Sequence, residues 1–174
     1  MTVYMPEATP TLGNLNVNAM VTVADLEAIA LATEWNAATS VELSCFLRPF
    51  APNVTNASGS APTRICTTIT LPQEGRTEIG AFELRYVYNP QEADSDPDNA
   101  AKELLQRGVV LTLGFRKGLD ALATPAAVAD HTEAWTVRLG RQNRVTSGDD
   151  DFAEFEISQM AYPTADVVYG VLAT

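Results

Sequence analysis

Apolar residues recur along much of this chain at every second position, the period of a strand whose successive side chains point to opposite sides. In "AFELRYVYNP" (81–90), Phe82, Leu84, Tyr86 and Tyr88 share one face, and Glu83, Arg85, Val87 and Asn89 share the other. That alternation predicts a sheet with one buried face and one that meets something polar. "VELSCFL" (41–47) reads the same way, with Val41, Leu43, Cys45 and Leu47 inward until Pro49 and Pro52 end it. Further strands are predicted at Ala19–Val23 and in "RICTTITL" (64–71). "VVLTLGFRK" (109–117) buries Val109, Leu111, Leu113 and Phe115; "EAWTVRLGRQ" (133–142) buries Trp135, Val137 and Leu139. "AEFEISQM" (153–160) turns Phe155 and Ile157 inward and Glu154, Glu156 and Ser158 outward, and a last strand covers 166–172.

The helical period is confined to one place. Over 97–107, Asp96 can cap the first turn, Pro97 suits it, and Ala100, Ala101, Leu104 and Leu105 form one stripe before Gly108. Residues 26–30 fit either a helix or a strand. Thr33–Asn36 reads as a single turn with Thr33 as its cap and Trp35 as an apolar plug. Many alternating strands and one helix predict a mainly-β fold, an antiparallel β-sandwich or partly closed barrel with one flanking α-helix. The organisation expected is an arm over residues 1–20 and one β-sandwich domain over 21–174, carrying a long polar loop at 51–63. Residues 118–132 are an excursion of small side chains.

Composition narrows the function. The 174 residues carry a formal net charge of −11, and the basic residues are scattered. Tight nucleic-acid binding draws on a basic patch, so an acidic surface that keeps the chain soluble or repels an anion is expected instead. The sequence predicts no leader and no membrane insertion. It also predicts free, buried thiols at Cys45 and Cys66, as in a reducing cytoplasm. The triplets Asn53-Val-Thr55 and Asn56-Ala-Ser58 then read as turn composition.

No chemistry is apparent. His131 stands between Asp130 and Thr132 with no nucleophile or orienting group beside it, and two cysteines with one histidine do not make a zinc site. Asp149–Asp151 lacks the alternating oxygen ligands of a calcium loop. Glu83, Glu154 and Glu156 could pair as hydrolase carboxylates, yet carboxylates alternating along strands are ordinary on a wet face. No enzyme, cofactor or metal is expected. A monomeric module binding a carbohydrate or cell-surface ligand is the alternative, and it requires an exposed aromatic platform.

The order of segments carries more. "TEWNAATSVELSCFL", "CTTITLPQEGRTEIG", "FELRYVYNPQ", "AAKELLQRGVVLTLGFRKGL", "AWTVRLGRQN" and "FEISQMAYPTADVVYGVLA" follow one another in a pattern that resembles the tail tube (major tail) proteins of long non-contractile-tailed bacteriophages, especially those of actinobacteria. The resemblance runs over about residues 20–174. It implies hexameric rings stacked into a hollow virion tube, assembled in the host cytoplasm. Such a tube is built around a tape-measure protein, meets tail terminator and tail-tip proteins, and passes genome DNA without binding it. It further implies that the arm and the 51–63 loop contact neighbouring rings. On this reading Glu83, Glu154 and Glu156 are candidates for the lumen face, and Arg85, Asn53 and Asn56 are candidates for subunit interfaces. The 118–132 excursion has no counterpart in the pattern.

Overall fold

The structure, a computed structural model, describes residues 10, 13–50, 52, 54–60, 72–121, 123–148 and 153–174. Among the described residues ten strands form in chain order: β1 (Leu15–Met20), β2 (Ala28–Ala30), β3 (Val41–Glu42), β4 (Val54–Ser60), β5 (Pro72–Ile79), β6 (Phe82–Val87), β7 (Val110–Lys117), β8 (His131–Thr146), β9 (Phe155–Pro163) and β10 (Val168–Ala173). Eight of them make one sheet with a main path β2-β10-β8-β7-β1-β3, to which β9 and β6 attach through β8. The sixteen-residue β8 serves two layers. Its first part pairs with β7 and β10, its second part with β9, and its register shifts between Leu139 and Gln142. A bulge of this kind bends a strand, and the sheet curls over itself as a half-barrel. The pairs are antiparallel except β10 with β2, which run parallel. Among the described residues no helix is long and apolar enough to cross a membrane.

The core lies between the two layers. Val17 and Ala19 of β1, Leu111, Leu113 and Phe115 of β7, and Trp135, Val137 and Leu139 of β8 meet Phe82, Leu84 and Tyr86 of β6 and Ile157 and Ala161 of β9. A second cluster sits on the opposite side of the larger layer, where Met20, Ile29, Trp35, Ala134 and Leu172 are buried. Trp35 lies against Gly114: a Cβ there would stand 2.6 Å from the Trp35 ring. Glycine is what allows the indole to plug this face.

A buried polar network fastens the helix to the sheet. The helical segment is a single 3-10 turn, Pro97–Asn99, followed by α1 (Ala100–Leu104), with Asp96 capping the amide of Asp98 as expected. Gln142 Nε2 donates to the Lys102 and Leu105 carbonyls and to the Tyr86 hydroxyl. The Tyr86 hydroxyl donates to Gln159 Oε1, and Gln159 Nε2 donates to the Leu105 and Gly140 carbonyls. Burial pushes the Tyr86 phenol well above its usual range, with the Gln142 bond offsetting part of the rise. Tyr86→Phe is expected to leave Gln159 Oε1 buried without a donor, at a cost of about 1–3 kcal/mol in chemical unfolding. An unchanged unfolding midpoint would show that the network contributes no stability.

Several expectations change. Residues 15–20, assigned to the arm, are β1 at the heart of the sheet, where Val17 and Ala19 face the core. The 41–47 strand stops after Glu42, because Phe46 and Leu47 donate to the Leu43 carbonyl and turn the chain; Cys45 is therefore exposed. The 31–35 segment is a helical turn in which Thr33 is internal and caps nothing, while Trp35 is buried. Glu34 holds the amides of Ala24 and Ala30. The predicted helix to residue 107 ends at Leu104. The 51–63 loop contains β4, paired with β5. Phe155 is exposed. The strand at 64–71, Cys66, Asn53 and Asp149–Asp151 lie outside the described residues.

Candidate functional site

Alternation along β6 and β9 sends Glu83, Arg85 and Val87 to the outer side of the smaller layer, opposite Met160, Ser158 and Glu156 respectively. Glu156 is only 1% exposed there, because two arginines close over it. Arg48 Nε bonds Glu156 Oε1 at 2.7 Å, and Arg85 Nη2 approaches Glu156 Oε2 at 2.9 Å. Arg48 also reaches Glu154 Oε2 at 2.5 Å. The hydrogen bond to Glu156 raises the Arg48 pKa, against the lowering effect of burial. A carboxylate at this depth is stable only with such partners.

The three acidic lumen candidates are therefore unlike one another. Glu83 is exposed and accepts from Ser158 Oγ at 2.5 Å; Glu154 is exposed and shares Arg48; Glu156 is a neutralised anchor. Arg85, expected to seek a carboxylate across an interface, finds Glu156 in its own chain. Asn56 lies on β4, where its Nδ2 donates to Glu74 Oε1 at 3.1 Å. Arg48, which ties the cluster together, escaped the sequence reading. In "FLRPF" it looks like a polar residue beside a strand end, and its partners lie over a hundred positions away.

Among the described residues two features lack a partner. The β4–β5 ribbon forms a sheet of its own. Every β4 side chain is exposed, as is every residue from Glu74 to Glu78 of β5, and only Ile79 at the root is partly buried against the core. A two-stranded ribbon is marginal in water, so one that packs on no other described element beyond its root implies another surface. The second feature is an edge of β8. The last backbone bonds on its β7 side join Leu139 to Val109 and Gly108; from there to Thr146, among the described residues, only β9 pairs with it. Arg141, Asn143 and Arg144 are exposed along this stretch. Unpaired strand edges invite pairing with another chain.

Nothing described here amounts to a catalytic centre. Among the described residues no three His, Cys, Asp or Glu side chains gather in a ligand cluster. His131 is the exposed first residue of β8. A cleft of about 600 Å³ at one end of the molecule is lined by Phe46, Leu47, Arg48, Tyr88, Asp98 and Phe155 among others, with no acid–base pair of catalytic form. Among the described residues the exposed aromatics do not make a platform. Phe155 and Tyr162 stand on opposite faces of β9, and Tyr169 is on β10.

Comparison with known proteins bears on both family and fold. A family model described as phage tail tube protein matches residues 4–174. Among solved structures, a chain in the cryo-EM structure of the anti-feeding prophage baseplate, 6-fold symmetrised, superposes with a TM-score of 0.53. The likeness covers 96% of this chain and 97% of that one at 10% identity, and it is one of fold. No curated protein matches the sequence.

Proposed function

Because the chain belongs to the phage tail tube protein family, we propose that it is a structural protein whose copies join head to tail into hexameric rings and stack as the wall of a hollow virion tube. The observation that carries this reading is the unpartnered β4–β5 ribbon together with the open edge of β8. A ring of copies removes strand edges that a monomer exposes, and a heterologous contact that closes gives a ring. Six copies follow the symmetry named for the baseplate structure of similar fold. Genome DNA passes through the tube, a tape-measure protein fills it before ejection, and tail terminator and tail-tip proteins close its ends. Assembly takes place in the host cytoplasm.

The outer face of β6 and β9 is the proposed lumen wall. Glu83 and Glu154 would present negative charge to the passing duplex, while Glu156 would hold Arg48 and Arg85 down so that neither offers a free cation to phosphate. Replacing Glu83 and Glu154 together by lysine is expected to leave tube assembly intact and to slow DNA ejection several-fold at low salt, with the defect shrinking as salt screens it. Ejection kinetics from virions carrying the double variant measure this. Unchanged kinetics would remove this face from the lumen. Tube formation itself is tested by electron microscopy of the purified chain.

A further inference from the structure

The outer side of the larger layer carries a polar cavity that tube building as described so far does not use. Its volume is about 440 Å³. Asn16, Asn18 and Arg116 line it, with Trp35, Asn36 and Ser40 on one wall, Ala121, Thr124, Pro125 and Ala126 on the other and Glu42 among the lining residues. The second wall is the small-residue excursion of 118–132. The sheet register sets Asn16 beside Arg116, and Asn18 beside Glu42 and Gly114.

All three residues at its centre are buried, yet each keeps a polar atom without a partner. Asn16 Nδ2 donates to Glu42 Oε1 and Asn18 Nδ2 to the Trp35 carbonyl, both at 2.6 Å, which leaves both Oδ1 atoms unpaired. Arg116 is 1% exposed; its terminal nitrogens bond Asp130 and the Thr124 and Pro125 carbonyls, while Nε bonds nothing. Buried polar atoms are normally satisfied, and unpaired ones mark a place where something else binds. Two acceptors and one donor are the complement of a peptide backbone. Asn16 and Asn18 are two positions apart on one strand, a spacing of about 6.6–6.8 Å, which is also the interval at which an extended chain presents N–H groups along one edge.

We infer that this cavity receives the edge of β4 opposite β5 from a second copy of the chain, with β4 amides donating to Asn16 and Asn18 Oδ1 and a β4 carbonyl accepting from Arg116 Nε. β4 suits the site in three respects. It is extended, among the described residues it is hydrogen-bonded on the β5 edge only, and from Thr55 to Ser60 it carries only small or short polar side chains, "TNASGS", which let its backbone approach closely. The excursion of 118–132 thereby gains a role as one wall of a socket. The inference rests on the reading of the ribbon as an arm between copies, and its test separates the two.

In a Cys45→Ser, Cys66→Ser background, Asn36→Cys at the cavity wall is combined with Ser58→Cys on β4, and assembled protein is oxidised and run without reductant. A ladder of covalent oligomers from the double variant, absent from either single variant, is expected. Tubes of normal appearance that yield only monomer would overturn the socket and leave the tube reading standing. A wild-type chain that never assembles would overturn both. A second variant, Asn16→Leu, removes one acceptor and frees only the Glu42 carboxylate at the exposed mouth. It is expected to leave monomer melting unchanged and to raise the critical concentration for assembly about fivefold or more. Lowered melting with unaltered assembly would make Asn16 a purely structural residue and contradict the socket.

Discussion

Replacing Thr55–Glu78 by Asn-Gly is expected to abolish tube assembly while leaving the monomer folded. The exchange is geometrically mild, because Val54 and Ile79 are cross-strand partners and a two-residue turn can join them. It removes the ribbon, whose side chains at 54–60 and 74–78 are exposed, and spares Ile79 at the root. Since the deleted part buries no core side chain among the described residues, the melting temperature is expected to stay within a few degrees. Every contact the ribbon makes with another copy is lost, so neither rings nor tubes are expected at concentrations where the full chain polymerises. Sedimentation and thermal melting of one preparation read both outcomes. Polymer of normal length from the shortened chain would show that the ribbon is no arm.

The largest effect on the fold itself is expected at Asp130. Arg116 is buried, and the Asp130 carboxylate reaches it at 3.0 Å. Removing a single partner from such a pair leaves an uncompensated buried charge, which costs about 3–5 kcal/mol. For a chain of this length, Asp130→Ala is then expected to lower the melting temperature by on the order of 10 °C. The same pair sets an acid limit. Burial alone would raise the Asp130 carboxyl, but the amide of Ala127 and the guanidinium of Arg116, with a smaller contribution from His131, hold it below the usual carboxylate range. A carboxyl depressed in the folded state stabilises the fold above its unfolded pKa of about 3.9, and that stability is lost as pH falls through the lower folded value. Stability of the wild type is thus expected to fall below about pH 4 more steeply than that of Asp130→Ala. Parallel acid-unfolding curves would contradict this.

Where side chains alternate against a core, the sequence was transparent. Phe82, Leu84 and Tyr86 are buried as their spacing predicted, as are Leu111, Leu113 and Phe115, and Trp135, Val137 and Leu139. The errors have a shared cause. "VTNASGS" reads as a loop because a ribbon that covers no core needs no apolar alternation, so its strand character has no signature in hydrophobic period. Glu156 reads as a solvent-facing acid because nothing local announces Arg48. Its burial depends on a residue 108 positions away. Conversely, "LNVNAM" at 15–20 does alternate, and the prolines and asparagines around it masked a central strand. The helix prediction ran long because Leu105, read as helical, is a core residue whose carbonyl is taken by Gln142 and Gln159 from the sheet, which ends α1 one residue earlier.

The proposed role rests on contacts between copies, and one measurement addresses that directly. Purified full-length chain, concentrated at neutral pH and imaged by electron microscopy, is predicted to show six-fold rings in end view and striated hollow tubes in side view. A preparation that remains monomeric, from a chain that is also absent from the tails of its virion, would contradict the account.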